Sequence, residues 1–114
     1  MSDSCLFCAI AAGTIPAVIV RRSDRVVVFR DVAPQAPVHI LAIPVEHHRN
    51  LEVLSAADPT LVSELVAEST AAAAAEGLAD GYRVVFNTGQ NGGQTVDHVH
   101  AHVLGGRRLN WPPG

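Results

Sequence analysis

The segment His98-Val99-His100-Ala101-His102-Val103-Leu104 alternates imidazoles with apolar side chains. Period two is the signature of a β-strand, whose successive side chains point to opposite faces. All three histidines then share one face, and Val99, Ala101 and Val103 point the other way, toward a core. Few chains place three groups that titrate near neutrality on one short strand face without a chemical use for them.

A single metal ion bound by all three is disfavoured by distance. With a rise of about 3.3 Å per residue, His98 and His102 lie roughly 13 Å apart at Cα. Two nitrogens on one zinc must approach within roughly 4 Å. Side chains standing nearly perpendicular to the sheet do not converge that far. The favoured reading is a catalytic strand: one histidine acts as nucleophile or base, and its neighbours bind or protonate. A solvated strand face is the plain alternative.

The length of 114 residues suits one domain, 1–114, with a core that needs no staples. A hydrophobic fraction of 48% and a charged fraction of 17% are those of a soluble globular protein. The net charge of −3 argues against an electrostatic nucleic-acid binder. The clusters Arg21-Arg22 with Arg25, and Arg107-Arg108, read as solvated surface. No apolar run reaches membrane-spanning length. The polar start Met1-Ser2-Asp3-Ser4 carries no export signal, and the two cysteines form no secreted disulfide framework, so a cytoplasmic location is expected.

Cys5 to Ala12 predicts a short helix capped by Gly13. Ala17–Val20 and Val26–Phe29 predict a hairpin around Ser23-Asp24-Arg25. His39–Ile43 predicts a third strand stopped by Pro44, Tyr82–Phe86 a fourth, and His98–Leu104 a fifth. Ser55 to Gly77 predicts one long helix. Pro59 suits its first turn, Leu61/Leu65 and Val62/Val66 recur at helical spacing, and Gly77 ends it. The sum is α+β: a five-stranded antiparallel sheet with one long helix across one face and a short N-terminal helix. The long helix must cover Val99, Ala101 and Val103, which leaves the histidine face open to a ligand or a second subunit.

Asn87 to Asp97 precedes the histidine strand and holds Gly89, Gly92 and Gly93 with no bulky apolar residue but Val96. Such a loop lets backbone N–H groups turn toward an anion. Anion-binding amides beside imidazoles suit phosphoryl or nucleotidyl transfer. Neither a Walker loop nor a Rossmann fingerprint is present.

At these residues the chain resembles the histidine triad (HIT) family, in its Hint branch. His98 through Leu104 fit the family's His-φ-His-φ-His-φ-φ hallmark, with φ apolar. The resemblance extends to Asp31-Val32-Ala33-Pro34-Gln35-Ala36-Pro37-Val38-His39, Ile43-Pro44, Gly92-Gly93-Gln94, and the tail from Leu104-Gly105-Gly106-Arg107 to Trp111-Pro112-Pro113-Gly114. It implies a homodimeric hydrolase that cleaves purine nucleoside 5′-phosphoramidates or related adenylates through a nucleotidyl-histidine. His100 would be the nucleophile, and covalent catalysis splits one hard displacement into two easier ones. His102 would hydrogen-bond the phosphate or leaving atom, Thr95 would stand near the leaving amine, and His39 would orient or relay a proton with His100. Asp31 would bind the ribose hydroxyls, Val32 and Phe29 would line the purine slot, and Asn87 with the backbone of Gly93 and Gln94 would hold the phosphate. Trp111 would approach the partner subunit's site.

Cys5-Leu6-Phe7-Cys8 is half of a zinc site. The resemblance implies His47 and His98 as the other half, a closed structural set that withdraws His98 from the chemistry. Two buried reduced cysteines or a redox pair are the competing readings. Other functions remain open from sequence: a nucleotide-sensing module without turnover, a zinc protein whose histidines are all ligands, and a dinucleoside polyphosphate hydrolase. Gly105-Gly106 stands where the last class typically has a glutamine-containing extension. Asp97 departs from the aromatic residue that related chains often carry before the first triad histidine.

Overall fold

The computed structural model of the chain describes residues 4–114; Met1, Ser2 and Asp3, part of the polar N-terminus, lie outside the described residues. The elements run α1 (Leu6–Ala12), β1 (Ile19–Arg22), β2 (Val26–Arg30), β3 (Val38–Pro44), α2 (Leu51–Ala57), α3 (Pro59–Ala75), β4 (Tyr82–Phe86) and β5 (Ala101–Gly105). The five strands form one sheet in the order β1-β2-β3-β5-β4, with every neighbouring pair antiparallel. The expected α+β architecture is present: five antiparallel strands, a short N-terminal helix and a longer helix. No helix among the described residues is long and apolar enough to cross a membrane.

Register decides which side chains meet. Leu41 opposes His102, Ile40 opposes Val103, and Ala42 opposes Ala101. Opposed residues share a face. One face therefore carries Ile40, Ala42, Val99, Ala101 and Val103, packed with Val26 and Val28 under Leu61, Leu65 and Ala72 of α3. The other carries Val27, Phe29, Leu41 and Ile43 under Phe7, Ile10 and Ala11 of α1. Strands β2 and β3 are covered on both sides, so Val26 to Phe29 are buried without alternation. The histidine face is not left open: α1 lies over part of it, His98 is wholly buried and His100 only 6% exposed.

Two elements differ from expectation. The single helix over 55–77 is two helices broken at Asp58, whose backbone is extended at φ −154°. Pro59 follows, and a residue before proline avoids the helical region. Asp58 then caps α3, its Oδ1 accepting from the Leu61 N–H at 3.2 Å. Asn50 caps α2 in the same way, accepting from the Val53 N–H at 2.9 Å. The far end of α3 closes at Gly77 (φ +77°), with Leu78 N–H donating to Ala73 O at 3.1 Å. The second difference lies in β5, which begins at Ala101 rather than His98. Upstream, the Val99 N–H turns instead to His48 O at 2.8 Å. That bond fixes His98 and His47 beside each other.

The first arginine cluster is more than solvated surface. Arg21 pairs with Glu68 at 2.7 Å, and Arg25 pairs with Asp58 and Glu64 at 2.5 and 3.0 Å. Arg30 adds a fork to Glu76 at 2.7 and 3.1 Å. These bridges tie β1 and β2 to α3, each half-exposed pair adding about 0–1 kcal/mol.

Candidate functional site

The three alternate histidines go to three environments. His98 donates through Nε2–H to Pro44 O at 2.9 Å. That bond leaves its Nδ1 lone pair free. Nδ1 lies 3.4 Å from Cys5 Sγ, 3.5 Å from Cys8 Sγ and 3.2 Å from His47 Nδ1, and Cys8 Sγ lies 3.3 Å from His47 Nδ1. The first turn of α1 sets the two sulfurs side by side, with the Cys8 N–H donating to Cys5 Sγ. A zinc tetrahedron with bonds of about 2.1 Å to nitrogen and 2.3 Å to sulfur has edges of roughly 3.3–3.8 Å. The four donors stand near that spacing, all within 4.8 Å of one another. Without an ion, burial holds His98 down at about 4, and burial plus the Cys5 hydrogen bond push the Cys8 thiol up to about 11. The neighbouring His48 bonds Glu46 at 2.6 Å and stands apart from this set.

His100 donates through Nδ1–H to the backbone oxygen of His98 at 2.8 Å. The proton is thereby fixed on Nδ1, and Nε2 keeps an unshared pair. Burial also lowers its pKa below the ordinary 6.5, so the ring is neutral at pH 7. The Phe7 ring meets it edge-on, at 5.0 Å between centroids. His100 and His102 form the polar end of a cleft of about 330 Å³. Leu6, Phe7, Ile10, Ile15 and Pro16 supply one apolar wall, and Phe29, Val32 and Leu41 supply floor and rim. Asp31, Thr95 and Val96 complete it.

His102 belongs to a relay. The Gln35 N–H donates to His39 Nδ1 at 3.0 Å, which forces the proton of neutral His39 onto Nε2. That Nε2–H donates to His102 Nδ1 at 2.9 Å, with Asp31 Oδ2 at 3.4 Å. His102 must then carry its own proton on Nε2. Burial, with the neighbouring His100 and His39, depresses its pKa to about 4. Asp31, His39 and His102 sit close enough to hold an ion. The Gln35 bond speaks against that, because it keeps the His39 nitrogen facing the group protonated. The expected pairing of His39 with His100 is not found; its partner is His102.

The other expected residues fall in different places. Asp31 lines the cleft and also closes a turn, Oδ1 accepting from the Ala33 N–H at 2.8 Å. Phe29 is 4% exposed, core and cleft floor at once, whereas Val32 is 99% exposed at the mouth. Thr95 lines the cleft, and no hydrogen bond among the described residues engages its hydroxyl. The two amides expected to hold phosphate are engaged within the loop itself. Gly93 N–H donates to Gln90 O and Gln94 N–H to Gly89 O, both at 3.1 Å. The Gln94 side chain is likewise spent, accepting from Gly89 N–H and donating to the Arg49 and Val96 carbonyls. Gly93 and Gln94 border an adjoining hollow rather than the cleft. Asn87, half-buried after β4, is not among the residues lining the cleft. Trp111 is 81% exposed beside Arg83 and away from it. Sequence reasoning missed Phe7, Gln35 and the Pro44 carbonyl. All three lie in segments that the sequence singles out, but none was assigned a role there.

A five-stranded antiparallel sheet that lines a cleft with alternate histidines defines a class, and comparison identifies it. The HIT domain profile matches residues 12–109. The chain is 53% identical over 114 residues to an uncharacterized HIT-like protein of Synechococcus elongatus, covering 100% of both. It superposes at a TM-score of 0.94 on a HIT family hydrolase from Legionella pneumophila, 46% identical, over 97% of this chain and 100% of that one. A histidine triad nucleotide-binding protein from Candida albicans superposes at 0.83, 29% identical, over 96% and 83% of the two chains. The chain belongs to the HIT domain family.

Proposed function

We propose that the protein is a nucleotide hydrolase of the Hint type, cleaving purine nucleoside 5′-phosphoramidates or related adenylates through a nucleotidyl-His100 intermediate. The observation that carries this reading is the His100 Nδ1–H bond to His98 O, which leaves a neutral, unshared Nε2 at the polar end of the cleft. Nε2 attacks the α-phosphorus, the bond from phosphorus to the leaving nitrogen breaks, and the amine departs with a proton delivered through His102. Water then attacks the same phosphorus and returns a proton through His102, the P–Nε2 bond breaks, and the nucleoside monophosphate leaves.

The relay supports the assignment of His102. With its proton on Nε2, it offers a donor to a phosphate oxygen or to the leaving atom, and Asp31 and His39 hold that tautomer. Thr95 supplies a further hydroxyl lining the cleft. Positioned proton donors typically contribute ~10²–10⁴-fold. Phe29 and Val32 offer the purine an apolar slot, and the Asp31 carboxylate, which lines the cleft, keeps lone pairs that can accept from ribose hydroxyls. The Hydrolase and nucleotide-binding names of the Legionella and Candida proteins agree with this chemistry.

Cys5, Cys8, His47 and His98 would hold a structural zinc, which ties α1 to the sheet. The exposed Trp111 and tail fit contact with a second copy in a homodimer. Hydrolysis of adenosine 5′-phosphoramidate tests the reading. His100→Ala is expected to abolish turnover and still bind AMP; turnover at the parent rate refutes the assignment.

A further inference from the structure

The metal-ligand cluster and the cleft share their parts. Cys5 and Cys8 flank Leu6 and Phe7, and both of these line the cleft. The Phe7 ring stands edge-on to His98 at 6.0 Å and to His100 at 5.0 Å between centroids. His98 gives its ring to the cluster and its carbonyl to His100 Nδ1. Cys5 and His47 also border a groove that meets the cleft at Leu6, Thr95 and Val96. A change in how the four donors are held therefore moves the cleft wall and the tautomer-fixing carbonyl together.

We propose that the Cys5/Cys8/His47/His98 cluster is a positioning device for the cleft, so that metal and nucleotide bind with reciprocal positive coupling. This rests on the nucleotide reading of the cleft. Holding Cys5 and Cys8 against His47 and His98 clamps α1 at its first turn, where Leu6 and Phe7 face the ligand. The helix is only seven residues long, so a clamp at its first turn constrains most of it. A wall already in place removes the ordering cost that the nucleotide would otherwise bear. By linkage, the nucleotide must then raise the affinity of the cluster for its ion by the same factor. His98 acts as a positioning residue, through His100 rather than on substrate.

The test is zinc competition against a chromophoric chelator, using the full chain with and without saturating AMP. Coupling between distinct sites is commonly about 5–150-fold, and AMP is expected to tighten zinc by about fivefold or more. Phe7→Leu keeps the wall apolar but removes the ring edge. Its own affinities for zinc and for AMP are titrated separately, with the fold checked by circular dichroism, and the shift that AMP causes in zinc affinity is expected to be mostly lost. Bound AMP with unchanged zinc affinity overturns the coupling while leaving the nucleotide reading intact. Failure to bind AMP overturns that reading and the coupling with it. Failure to bind zinc, or a full shift kept in Phe7→Leu, overturns the proposed route.

Discussion

Acid should unfold the metal-free protein through two imidazoles, the buried His98 and the half-buried His102. His98 and His102 each have a folded pKa near 4 against an ordinary 6.5, mainly because burial penalises their charged forms. The folded pKa lies below the unfolded one, so the unfolded chain binds more protons between the two values. Stability is therefore intact above pH 6.5, falls as pH drops through this window, and levels off below pH 4. At pH 5 a group with this shift costs roughly 2 kcal/mol. Allowing the full amount for His98 and less for the partly exposed His102 gives about 3 kcal/mol. A domain's total stability is typically about 5–15 kcal/mol, so the loss is large. Urea denaturation in chelator at pH 7 and pH 5 measures it. Far-UV circular dichroism is the suitable probe, because Trp111 is 81% exposed in the tail and reports little of the core. His102→Gln should remove the smaller part of the loss. Equal urea midpoints at both pH values, or imidazoles titrating near 6.5 by NMR, would refute the reasoning.

Three further outcomes follow from named contacts. Asp58→Ala removes the α3 cap and the Asp58 arm of the Arg25 bridge, leaving Arg25 paired with Glu64, and should lower stability by about 1–2 kcal/mol in the same denaturation assay. Cys8→Ser should bring bound zinc, measured by elemental analysis after gel filtration, from about one per chain to well below one. His39→Ala breaks the relay that holds the His102 proton on Nε2, and should lower kcat on adenosine phosphoramidate by about tenfold or more with KM less affected.

Much of this arrangement is legible in the sequence, for physical reasons. The alternation from His98 to Leu104 sorted histidines from core residues correctly, because period two is a property of extended backbone. Strand rise disfavours one ion on all three, and in the structure each ring has different partners. Gly13 and Gly77 marked helix ends because both positions need positive φ. The break at Asp58 was also present, as a helix-capping residue before proline, but strong apolar spacing on both sides hid it. The loop amides were illegible: whether an N–H faces an anion or its own turn depends on φ signs that glycine leaves open. The His39–His102 pairing was equally hidden, since it depends on register between β3 and β5.

The central claim is that the uncharged Nε2 of His100 bonds covalently to phosphorus. Rapid mixing with adenosine 5′-phosphoramidate, an alkaline denaturing quench and peptide mass spectrometry should find an AMP adduct on His100. Complete turnover with no adduct at any quench time, or an adduct on another residue, would contradict it.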